Sequence, residues 1–137
     1  MVDDETEARR EALARATNWG AALALASGWL RTVPDLPTPD LDAQVLLGHV
    51  TSAPRARVLA YPERTLTAEQ AMRYAGLVAR RAEHEPVAYL TGRREFLGLE
   101  FKSDARALIP RPETELLVEA ALADLRERLT RAPDMPP

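Results

Sequence analysis

The chain has no cysteine among its 137 residues, which excludes disulfides and thiolate metal sites and fits a reducing compartment. Aromatic residues make up only 5% against 46% hydrophobic residues, so a core must be built from Leu, Ala and Val; that composition favours helices over sheets. The longest apolar stretch, Ala21 to Ala26, is far too short to span a bilayer, and Met1 is followed by acidic Asp3, Asp4 and Glu5 rather than by a basic signal-peptide start. A soluble cytoplasmic protein is therefore expected. The net charge is -3 with no long run of like charges, which argues against a nucleic-acid tail and a polybasic membrane anchor. Lysine is nearly missing: of 18 basic residues only Lys102 is one, a bias that reads as the nucleotide composition of the coding sequence. Two histidines, His49 and His84, lie far apart without the carboxylates of a metal site, so no metal is expected.

What is present is helical patterning. Residues 4 to 16 contain helix formers but a poor apolar stripe, which predicts a frayed or solvated helix. Trp19, Ala22, Leu23, Ala26, Leu30 and Val33 recur at three- or four-residue spacing and mark one helical face, capped by Thr17 or Asn18 and ended by Pro34. Thr38-Pro39-Asp40 supplies an N-cap, a first-turn proline and a dipole-matched acid for a helix over 39–51, with Ala43, Leu46, Leu47 and Val50 buried. A short helix over Arg55 to Ala60 ends before Pro62. Thr67 and Gln70 form a capping box for a helix running to about His84, with Ala71, Ala75, Val78 and Ala82 inward and Glu69 and Arg73 paired on the wet side.

Beyond Glu85-Pro86 the period changes. Arg94, Phe96, Leu99 and Phe101 alternate as on one face of a β-hairpin turning at Leu97-Gly98. Pro110 and Pro112 prevent helix before Arg111, and Pro112 then opens a helix over 113–131. Its glutamates, Glu113 and Glu115, lie at the positive end of the helix dipole and Arg126, Arg128 and Arg131 at the negative end. Val118, Ala121, Leu122, Leu125 and Leu129 give it an apolar stripe in need of a partner, which predicts self-association or folding back onto the bundle.

Three strings in this region carry a family resemblance: Glu85-Pro86-Val87-Ala88-Tyr89-Leu90-Thr91-Gly92, Arg94-Glu95-Phe96-Leu97-Gly98, and Leu108-Ile109-Pro110-Arg111-Pro112-Glu113-Thr114-Glu115. Together they resemble the junction between the N-terminal helical domain and the methyltransferase domain in the HemK or PrmC family, the glutamine methyltransferases of peptide chain release factors. A related ribosomal-protein glutamine methyltransferase shares the general junction but differs at Arg111 to Glu115. The match covers roughly residues 40 to 125, with residues 1 to 16 as an extension on the family pattern.

The resemblance implies a mainly α fold: a helical substrate-recognition domain over 1–84, a β-hairpin linker over 85–112, and over 113–137 the first helix and tail of a Rossmann-like methyltransferase domain. For the complete enzyme it implies methyl transfer from S-adenosylmethionine to the glutamine of a Gly-Gly-Gln loop in a release factor. Such sites need a glycine-rich turn where backbone approaches the cofactor, and the family also needs an Asn-Pro-Pro-Tyr motif. Here no two of the six glycines are close enough for that turn, and the one asparagine, Asn18, precedes Trp19. The chain is thus expected to hold the recognition half and to bind no S-adenosylmethionine alone. Leu108 and Pro110 match positions that, by resemblance, lie against the cofactor or target side chain, although a stiff interdomain strand explains them equally. Arg111 would meet a substrate or cofactor carboxylate, or else pair with Glu113 or Glu115. Arg80-Arg81 and Arg93-Arg94 would face an acidic patch, or else form a solvated helix end and hairpin rim. The expected partner is a release factor, with nucleic acid unlikely; the alternative is a stand-alone helical module binding protein or RNA.

Overall fold

The computed structural model describes residues 3–96, 99–102 and 112–131, which divide into two compact units, one through Thr91 and one from Gly92. The first unit is all helix. Helix α1 spans Asp4–Ala14, α2 Trp19–Arg31, α3 Pro39–Thr51, α4 Arg55–Ala60, α5 Ala68–Ala82 and α6 Val87–Thr91.

Helix α1 is better anchored than its patterning predicts. The Asp3 carboxylate accepts the Thr6 amide at 2.7 Å, and hydrogen bonding from Thr6 holds the Asp3 carboxyl below its usual range. Most of the helix is exposed, but Leu13 is wholly buried and the helix packs on α5 and α2. One leucine with Ala14 and Ala16 beside it is too small a stripe to register as a periodic signal.

Asn18, rather than Thr17, caps α2 by accepting the Ala21 amide at 2.8 Å. The remaining first-turn donors of α2 are met by the returning segment before α5: Trp19 donates to the Arg64 carbonyl and Gly20 to the Pro62 carbonyl, at 3.0 and 2.8 Å. Glycine at 20 has a steric reason, since a Cβ there would lie 2.9 Å from the Pro62 side chain. Trp19, Ala22, Ala26, Trp29 and Leu30 face inward, and the Arg64 guanidinium lies 5.5 Å from the Trp19 ring centre.

Helix α3 buries the expected Ala43, Leu46, Leu47 and Val50, each large side chain contributing about 1.5–3 kcal/mol of transfer free energy. Its start departs from expectation. Thr38 makes no capping bond to the backbone; its hydroxyl donates instead to the Asp42 carboxylate at 3.1 Å. Asp40 receives two 2.8 Å bonds from Arg31, which hold its carboxyl below the usual range. Ser52, in the left-handed region, ends α3, and Gly48 lets the Ala53 carbonyl come within 2.7 Å of where a Cβ would stand. Helix α4 then packs back on α3 through Val58.

The capping box of α5 is complete: Gln70 N–H donates to Thr67 Oγ1 at 3.1 Å and Thr67 N–H to Gln70 Oε1 at 3.0 Å. Ala71, Ala75 and Val78 are buried as expected, and Tyr74 joins them. Its phenol donates to the Ala43 carbonyl at 2.8 Å, tying α5 to α3, while burial pushes the phenol pKa up. No Glu69–Arg73 ion pair is present among the described residues.

The structure then adds a helix where a hairpin linker was expected to start. The Pro86 carbonyl accepts the Tyr89 and Leu90 amides, and the resulting turn, α6, buries Ala88 and Leu90 against α3 and α5. Five residues are too few for helical periodicity to show.

In the second unit, β1 (Arg93–Phe96) and β2 (Leu99–Lys102) pair antiparallel, with Arg94 opposite Phe101 and Phe96 opposite Leu99, in the register the alternation predicts. The turn residues Leu97 and Gly98 lie outside the described residues. Helix α7 spans Pro112–Arg131. Leu122, Leu125 and Leu129 of its expected stripe are exposed, as are Leu116 and Leu117. Among the described residues, no helix is long and apolar enough to cross a membrane.

Candidate protein-recognition surface

Leu108, Pro110 and Arg111, the residues that the resemblance assigned to cofactor and substrate, lie outside the described residues. The surface that can be built from the residues upward belongs to the helical unit, and its rigidity starts at a buried charge. Asp42, 6% exposed, accepts the Arg81 Nε–H at 2.8 Å on one carboxylate oxygen and the Thr38 hydroxyl at 3.1 Å on the other. Arg81 also donates to the Glu85 carbonyl at 3.1 Å. One ion pair therefore joins α3, the end of α5 and the segment entering α6, and a pair this enclosed holds only because its other hydrogen-bonding groups are met.

Of the Arg80-Arg81 pair, Arg80 is exposed as a solvated helix end would have it, whereas Arg81 is not. Arg81 is 12% exposed in its pair with Asp42, and Arg80 clasps the Glu85 carboxylate through two nitrogens, one of them at 2.7 Å. His84 adopts φ 68° beyond α5, and its Nε2–H donates to the Pro34 carbonyl at 2.8 Å. Carbonyl oxygen only accepts, which fixes the proton on Nε2.

Two hollows flank α5. One, about 500 Å³, lies among Asp3, Glu5, Arg9, Trp29, Thr32 and His84. Its cation is already satisfied, since Arg9 bonds Glu5 and donates to the Thr32 hydroxyl at 2.6 Å. The other, about 490 Å³, lies among α1, α3, α5 and α6 and is lined by Arg10, His49, Arg73, Leu77, Arg80 and Leu90, with Glu83 as its one acid. Arg10 and Arg73 form no ion pair among the described residues. Chemically this hollow offers two guanidinium groups without ion-pair partners beside apolar Leu77 and Leu90, suited to carboxylates and methylenes together. The sequence signal for it was available in part: Arg73, Leu77 and Arg80 stand at helical spacing on α5. Arg10 carried no signal, lying in a helix with little pattern. Among the described residues no cluster of three or more His, Asp and Glu side chains is arranged to hold a metal ion.

Comparison with known proteins bears on this unit directly. The family model described as the PrmC N-terminal domain matches residues 21–92, ending one residue past the helical unit. The release factor glutamine methyltransferase of Escherichia coli (strain K12) is 47% identical over 98 residues, which are 72% of this chain and 35% of that protein. Proteins of the same name match at 48% over 88 residues in Koribacter versatilis (64% of this chain, 31% of that protein) and at 51% over 86 residues in Burkholderia pseudomallei (63% and 30%). The chain spans about a third of the length of the curated relatives it matches. The matched span covers more than half of the chain, from within α2 through Gly92, and the chain belongs to the PrmC N-terminal domain family.

Proposed function

We propose that this chain is the substrate-recognising portion of a peptide chain release factor glutamine methyltransferase. The observation that carries the reading is the family match over the helical unit, together with relatives that bear that name. In the complete enzyme S-adenosylmethionine would supply a methyl group for the side-chain nitrogen of a glutamine, which would give up a proton in exchange. An amide nitrogen is a poor nucleophile, so positioning and electrostatics carry most of such a reaction.

What this chain's own residues do in that scheme is bind and orient. Asn18, the one asparagine, spends its side chain on the α2 cap, and Gly20 and Gly48 serve close backbone packing inside the bundle. None of the three is available to a substrate amide or a cofactor. Helix α7, with five exposed leucines, then belongs to the methyltransferase domain, whose sheet would cover them.

Biolayer interferometry of the whole chain on an immobilised bacterial release factor tests the proposal. Saturable micromolar binding is expected; no association at high micromolar concentration would remove the recognition role. Calorimetry with S-adenosylmethionine alone should give no binding heat, and a tight complex would overturn the assignment of the cofactor pocket to another part of the enzyme.

A further inference from the structure

We infer that the hollow among α1, α3, α5 and α6 is the seat of an extended acidic segment of the release factor, held by Arg10 and Arg73. The inference rests on the proposed recognition of a release factor and adds where, and by what chemistry, it occurs.

Three observations converge on it. Arg10 from α1 and Arg73 from α5 line one concavity, both are exposed, and neither has an ion-pair partner among the described residues. The third arginine there, Arg80, is already neutralised by Glu85, and the cation of the neighbouring hollow, Arg9, by Glu5. The whole chain carries a net charge of -3, so two guanidinium groups without ion-pair partners, in a hollow whose one described acid is Glu83, run against its overall balance. Convergent like charges repel unless an anion joins them, and the planar fork of Arg suits a carboxylate.

The floor narrows the class of anion. Leu77 and the largely buried Leu90 are apolar, and Gly76 presents no side chain. A Cβ added at Gly76 would come into ordinary contact with the Arg10 guanidinium, at 3.9 Å, so that arginine lies over α5 at the glycine. The one ring among the described lining residues is the His49 imidazole, and no Trp, Tyr or Phe stands there as the stacking platform that single-stranded nucleic acid favours. Acidic side chains flanking an apolar one fit both the rim and the floor. Arg10 stands outside the family-matched span of residues 21–92, so one wall of the seat comes from this chain's own α1.

The test compares the chain with Arg10→Glu, Arg73→Glu and the double variant for binding to immobilised release factor at low and moderate salt, with Arg57→Glu on α4 as a control. Both target arginines are exposed and without ion-pair partners, so circular dichroism should show native helix in every variant; charge-neutral Arg10→Gln and Arg73→Gln serve as the second series. Each reversal is expected to weaken binding about tenfold and to flatten its salt dependence, with Arg57→Glu unchanged. If the chain binds and the double variant binds within about twofold of it, the seat is wrong while release-factor recognition stands. If the unaltered chain does not bind, both readings fall. A single-stranded RNA oligonucleotide, bound through the same arginines while release-factor binding is insensitive to them, would overturn the proposal in favour of RNA.

Discussion

Asp42 carries more structural consequence than any other polar residue described. Its carboxylate is enclosed, and both oxygens are used, by Arg81 and by Thr38. Removing one partner of a buried pair leaves the other charge without compensation, which typically costs about 3–5 kcal/mol. Asp42→Ala should therefore lose about 3 kcal/mol in urea unfolding, and Arg81→Met combined with Asp42→Leu should lose less than the single change. If Asp42→Ala were neutral, the pair would have no part in holding α3 to α5. The pairing was invisible in the sequence because it joins residues 39 positions apart, and no local rule reaches so far. Tyr74 was missed for a different reason: its hydroxyl marks it as polar, yet the ring fills the core once that hydroxyl donates a hydrogen bond to the Ala43 carbonyl.

At the scale of elements, what was legible followed a local signal. The row Ala43, Leu46, Leu47 and Val50, the Thr67–Gln70 box and the limits of α4 were all readable because spacing, capping and proline act within one or two turns. Helices α1 and α6 were obscured because each packs through one or two side chains, and α6 is only five residues long. Two helical glycines show how packing decides what local propensity cannot. Gly28 in α2 has nothing within 4 Å of a prospective Cβ, whereas Gly48 in α3 faces the Ala53 carbonyl at 2.7 Å. Gly28→Ala should accordingly raise stability by about 0.5–1 kcal/mol, the ordinary gain for a helix interior. Gly48→Ala should lower it, since backbone must move to admit the methyl group. Thermal melts of the pair check both signs; a stabilising Gly48→Ala would mean that the α3–α4 corner is far more yielding than its contacts indicate. The candidate seat was half legible at this scale, with the α5 side readable and the α1 side not.

Across the whole molecule, the division at Thr91 implies that the first unit carries its own complete core. A chain ended after Gly92 should melt cooperatively with the helical signal of the bundle intact, as followed by circular dichroism. Loss of a cooperative transition would show that the bundle depends on residues beyond it. Solubility should improve in the same shortened chain, because the exposed leucines of α7 are gone. Light scattering on both lengths would show whether that helix drives self-association. Family membership was the most legible property of all, since it travels in short strings such as Glu85 to Gly92 rather than in tertiary contacts.

The fastening of residues 80 to 85 has a mechanical side. The imidazole of His84 grips the Pro34 carbonyl, Arg81 grips the Glu85 carbonyl, and Arg80 grips the Glu85 carboxylate. Three separate clamps thus act on the stretch where the polypeptide leaves α5, as a strain relief does where a cable leaves its housing. A pull on the downstream chain would load these clamps and the α2–α3 turn before it could unwind α5, so the bundle can serve as a firm handle for whatever the chain is joined to.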